Sequence, residues 1–195
     1  MLAVFLFALA VVAEAWGSAA PAGQAPAEAE VPSSRQAVIV LRALAYDGNL
    51  RTRAGDTIDI GVLYKKGHGR SEQMAATMAK AFGVLASTQV AGLPIAVSRL
   101  AYGGTEALDK SIGGVGIDMI YVCEGLDAEV GAIAEVTRRT KTLTVGSRRE
   151  QVRQGLSLGV FQVDAKTTIL LNLQSSRQEG VAFAADLLRL AAVIR

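Results

Sequence analysis

Lys65, Lys66, His68, Arg70 and Ser71 form the group in this chain best placed to do chemistry. They follow a strand-like run, TIDIGVLY (57–64), and lead into helix-forming residues. Where a strand passes into a helix, free N–H groups and the helix dipole favour an anion, and nearby cations strengthen that preference. These five residues are therefore the candidate ligand set for a phosphate, nucleotide or other anion. The spacing is not that of a Walker loop, because Gly67 and Gly69 are two apart and no Lys-Ser or Lys-Thr follows. The dinucleotide fingerprint also fails, with Glu72 at its third glycine position. A solvated basic turn is the competing reading.

Cys123 lies at the end of a second apolar strand, GIDMIYVCE (116–124), and His68 follows the end of another. A cysteine nucleophile with a histidine base is thus the one enzymatic arrangement the residues offer. A small buried thiol is the plainer explanation. With one histidine and one cysteine in the chain, a disulfide within it and a cysteine-rich zinc site are both ruled out. Asp56, Asp59 and Asp118 do not converge at metal-ligand spacing. The expectation is a protein without catalytic residues, metal or cofactor.

The elements that must position these residues follow from periodicity. The chain has 195 residues, of which 51% are hydrophobic, enough for one domain with a core of ordinary size. A net charge of +2 with dispersed basic residues argues against a nucleic-acid partner, and 5% aromatic residues against a base-stacking surface. The unbroken apolar run Leu2–Ala13, followed by small residues, is too short to span a bilayer and suits a secretory signal over 1–19. An uncleaved anchor is the alternative. Residues 20–34, rich in Ala, Pro and Glu, read as a disordered linker before a domain over 35–195. An exported, periplasmic protein with no membrane insertion after removal of the signal is expected.

Within the domain, RQAVIVLRALAYDG reads as a helix with Val38, Leu41, Leu44 and Ala45 on its apolar face, and NLRTRAGD as a loop. Strands are expected over 57–64, 93–100, 116–124 and 141–147. Helices are expected between them, the first capped by Ser71 and buried through Met74, Met78 and Phe82. LSLGVFQVDAKTTILLNL reads as a hairpin turning at Asp164-Ala165-Lys166. One last helix spans SSRQEGVAFAADLLRLAAVI, with Gly180 as an anomaly inside it. Alternating strands and helices predict an α/β fold: a three-layer sandwich with a mostly parallel sheet and a C-terminal antiparallel hairpin. The last helix is apolar around much of its surface, which calls for full burial or a partner.

The C-terminal half, KTLTVGSRREQVRQGLSLGVFQVDAKTTILLNLQSSRQEGVAFAADLLRLAAVI, resembles the YfiR-like family of small bacterial periplasmic proteins. Thr144-Val145-Gly146, Asn172-Leu173, Gly180, Leu187-Leu188, Leu190-Ala191 and Val193 carry the likeness, together with VAGLPIAVSRL (90–100). The resemblance implies a non-catalytic regulator that restrains an inner-membrane diguanylate cyclase, and so controls cyclic-di-GMP and biofilm formation. A sensor kinase is an equally compatible membrane partner, and a homodimer is implied. Two features depart from the family pattern. Members carry disulfide-forming cysteines, whereas this chain has only Cys123. Members tend to have a Phe and a Trp-Pro at the end of the first helix, where this chain keeps only Tyr46 in ALAYDGNL, its candidate partner-surface residue.

Overall fold

The structure, a computed structural model, describes residues 31–163 and 166–194. The expected signal over 1–19, the expected linker up to residue 30, and the hairpin residues Asp164 and Ala165 lie outside the described residues.

Regular structure starts with α1 (Ser33–Leu44), capped by Pro32 and not by a serine, and Val31 before it is already buried. The buried face of α1 is Gln36, Ala37, Val40, Leu41, Ala43 and Leu44. Leu41 and Leu44 match the sequence reading, but the face is rotated, so Ala45 is exposed and Val38 only half-buried. NLRTRAGD is not a loop throughout: Leu50–Ala54 forms one helical turn, α2, which plants Leu50 in the core.

The rest alternates as expected: β1 (Ile58–Tyr64), α3 (Gly69–Val84), β2 (Ile95–Ala101), α4 (Thr105–Val115), β3 (Met119–Val122), α5 (Val130–Thr140), β4 (Leu143–Gly146), α6 (Arg149–Arg153) and β5 (Leu158–Val163). These five strands are parallel, in the order β2-β1-β3-β4-β5. Next come β6 (Lys166–Asn172), α7 (Leu173–Gln178), α8 (Ala185–Leu190) and β7 (Ala192–Ile194). β6 is antiparallel to β5, and β7 runs parallel to β6 at the sheet's edge.

Side-chain alternation along the strands makes two cores. Ile58, Ile60 and Val62 of β1 and Met119 and Tyr121 of β3 pack with α1 and α3 on one face. Ile120 and Val122 of β3 pack with α4 and α5 on the other. Burial of β3 on both faces explains its unbroken apolar run. The sheet grows outward in both directions from β1, so α3 covers one face while α4 and α5 cover the other. The crevice that this reversal opens lies at the carboxyl ends of β1 and β3.

One expected element is corrected. The single C-terminal helix is two short helices and a strand. Gly180 ends α7 with φ of 79°, a left-handed conformation that a side chain would strain. Residues 179–184 then form a strap across the end of α1. Gly48 N donates to the Ala182 carbonyl at 3.0 Å and Ala184 N to the Tyr46 carbonyl at 2.9 Å. Ala182 N donates to the Asp47 carboxylate at 2.9 Å.

Candidate functional site

The basic loop after β1 sits at the switch-point crevice, but much of its hydrogen-bonding capacity is used within the fold. His68, not Ser71, caps α3: the Ser71 N–H donates to His68 Nδ1 at 3.2 Å. Ser71 is fully buried, and its Oγ accepts from the Lys65 N–H at 3.0 Å. Gly67 N donates to Glu72 Oε1 at 2.9 Å. Lys65 pairs with Glu129 at 2.9 Å and Arg70 with Glu124 at 3.1 Å, which sets two carboxylates against the loop's cations. The His68 ring lies over Gly125, where an added Cβ would stand 3.1 Å from it. The loops after β1 and β3 therefore close on each other. Lys66 is exposed and makes no ion pair among the described residues.

Arg70 reaches a polar cavity of about 250 Å³ enclosed by the N-terminal ends of α1, α3 and α6 and by the ends of β3 to β5. Its floor is rigid: Tyr121 OH donates to Gln36 Oε1 at 2.8 Å, and Gln36 Nε2 donates to the Val160 carbonyl at 3.0 Å. Glu124, Ser147, Arg148 and Glu150 complete its polar wall. Of the five residues in the expected ligand set, only Arg70 borders this cavity.

Cys123 is buried, and burial, with the Glu124 carboxylate beside it, pushes its thiol up to about 12. Such a thiol is not a nucleophile at neutral pH, and its expected partner His68 spends Nδ1 on the Ser71 N–H. A thiol reagent is expected to label Cys123 only as fast as the fold opens. Labelling of native protein at the rate of a free thiol would contradict this.

Tyr46 belongs to a different feature. It stands 36% exposed at one end of a groove of about 750 Å³ between α1, β6 and α8. Ile39, Ile169 and Leu187 line the groove, and Leu190 stands at its rim, 68% exposed. Arg35 and Arg42 project from α1 along it and make no ion pair among the described residues. The sequence signal for half of this groove was the apolar breadth of the last segment. The other half, Ile39 and Ile169, lies on elements distant in sequence, and local patterning does not connect them.

The family model described as YfiR/HmsC-like matches residues 36–192, nearly all of the described domain. The chain belongs to the YfiR/HmsC-like family. No curated protein matches it significantly. Among solved structures it is similar to an ABC domain in complex with L-Trp from Streptococcus pneumonia, with 14% identity, 84% of this chain and 60% of that one covered, and a TM-score of 0.59. It is similar to a conserved domain protein from Vibrio cholerae, with 11% identity, 84% and 60% coverage and a TM-score of 0.61. A third likeness is to the ligand-free, open form of a substrate binding protein with adhesive properties from Clostridium difficile. There the identity is 13%, the coverage 75% and 57%, and the TM-score 0.51. At such identities the likeness is one of fold, and the chain spans about three fifths of the length of those structures.

For this YfiR/HmsC-like chain, the residue the sequence reading missed is Glu179. It is fully buried at the end of α7. Its carboxyl accepts from the Thr144 N–H at 2.9 Å, Thr144 Oγ1 at 2.8 Å, Thr137 Oγ1 at 3.0 Å and Ser157 Oγ. Burial pushes it up to about 7 against the pull of those four hydrogen bonds. No sequence signal marks it, because its partners lie 22 to 42 residues away. Among the described residues no helix is long and apolar enough to cross a membrane.

Proposed function

We propose that this chain acts in the bacterial periplasm as a non-catalytic regulator that binds and restrains a membrane signalling protein, a diguanylate cyclase first among the candidates. Family membership supports the class of function. The observation that carries the binding reading is the groove beside Tyr46. It places two exposed apolar side chains, Tyr46 and Leu190, and two arginines that make no ion pair among the described residues on one concave face. Aromatic and arginine side chains around an apolar pocket are typical anchors of protein interfaces. The groove also lies where Tyr46 takes the place of the family's usual aromatic residues.

The test is genetic and direct. Deleting the gene should raise cyclic-di-GMP, and the wild-type chain should restore it. Tyr46→Ala and Leu190→Asp, both at solvent-facing positions, should fold normally yet fail to restore it, each weakening partner binding by ~30-fold or more, as hot-spot loss implies. Full restoration by both variants would remove the groove from the mechanism.

A second reading, a sensor of a small anion or nucleotide, is favoured by the cavity that Arg70 borders. Inorganic phosphate or a nucleotide should then raise the melting temperature, and Arg70→Ala should abolish the rise. A rise that survives Arg70→Ala would place the ligand elsewhere.

A further inference from the structure

We propose that Glu179 is a pH-operated latch for residues 179–190, so that its ionisation loosens the α8 wall of the groove. The consequence for binding rests on the groove reading above, whereas the latch itself rests on the burial of Glu179 and the contacts it makes.

Glu179 holds the start of the strap to three core elements at once: α5 through Thr137, β4 through Thr144 and the approach to β5 through Ser157. The strap then crosses Tyr46, Asp47 and Gly48 and passes into α8, which supplies Leu187 and Leu190 to the groove. One end of the segment is thus a buried carboxyl and the other is a wall of the candidate docking site.

Among the described residues no cation pairs with that carboxyl. The groups that face it from α5, β4 and β5 are hydroxyls and one amide. On α5, Arg138 turns to the Gly155 carbonyl at 3.3 Å and Arg139 pairs with Asp109 at 2.9 Å. Lys141 packs against Gly180 but donates to the Gln178 carbonyl at 3.0 Å. Arg53 also packs against Gly180 and pairs with Asp47 at 2.8 Å. On α7 itself, Arg177 is exposed. Ionisation therefore puts an uncompensated charge in the core, and releasing the strap brings it to water.

The sign follows. The seated carboxyl takes up its proton at about 7, against a free value of 4.5. The closed form then binds more protons between those limits, and opening becomes easier as pH rises through them, by about tenfold per pH unit. The test is hydrogen–deuterium exchange of the full chain from about pH 5 to about pH 7, corrected for the intrinsic rate. Protection at Val181, Ala182, Ala184 and Leu187 should lie below that of β1 and β3 and fall with pH in the wild type, and should stay level in Glu179→Gln. Should Glu179→Gln not fold, Ser157→Ala, which removes a hydrogen bond to the carboxylate, should extend the decline to higher pH. Equal profiles in wild type and variants, or strap protection as high as that of β1 and β3 throughout, would overturn the latch. A pH-responsive strap combined with normal regulation by Leu190→Asp would sink the groove reading and leave the latch standing. A level strap with defective Leu190→Asp would do the reverse.

Discussion

Asp47→Ala is expected to lower stability by about 3–5 kcal/mol, the cost of stripping one partner from a buried ion pair. The Asp47 side chain is fully buried and that of Arg53 is 10% exposed, with 2.8 Å between them. The other carboxylate oxygen of Asp47 accepts the N–H groups of Asn49 and Ala182, both at 2.9 Å. One carboxylate thus joins the end of α1, helix α2 and the C-terminal strap. Arg53 in turn donates to the carbonyls of Asp118 at 3.2 Å and Lys141 at 3.0 Å. Removing Asp47 leaves the Arg53 guanidinium without its ion-pair partner and two N–H groups with no acceptor. Asp47→Asn keeps an acceptor for those N–H groups and loses only the charge, so it should cost less. Urea unfolding with an unchanged slope is the measurement. A loss for Asp47→Ala below about 1 kcal/mol would mean the pair behaves as a surface salt bridge.

Raising the pH should also destabilise the whole fold by roughly 3 kcal/mol between the free and seated limits of Glu179, at 1.36 kcal/mol per unit. The native state holds its Glu179 proton from 4.5 up to about 7, while the unfolded chain gives it up. Stability conferred by the neutral carboxyl is therefore present in acid and lost as pH climbs through that window. Asp118 acts in the same direction over a lower window. Burial raises it from 3.8 to about 6, against the pull of the Asp59 N–H bond at 2.9 Å and of Arg53. Unfolding midpoints measured across this range should fall in the wild type. Glu179→Gln should flatten the upper part of the curve, and Asp118→Asn the lower part. A wild-type midpoint that rises steadily from acid to neutral pH would contradict both assignments.

The layered α/β plan was legible because local periodicity follows from local sterics. The β-branched residues of TIDIGVLY, the unbroken apolar run MIYV and the four-residue spacing of Met78 and Phe82 each show within one stretch. The loop cations were legible too, but Glu124 and Glu129, which pair with Arg70 and Lys65, come from the far side of the sheet's switch point. Ser71 looked like a helix cap by position, yet the turn of the chain at His68 buries it.

The C-terminal segment marks the boundary most clearly. Its apolar residues repeat as a helix would require, and the sequence by itself determined that it must be covered. Only the tertiary structure decided that it would break, because the groups that hold Glu179 and Ala182 lie up to 135 residues away in the chain. Those contacts offset the helical preference of the residues between them, and so the groove beside Tyr46 exists only in the folded chain.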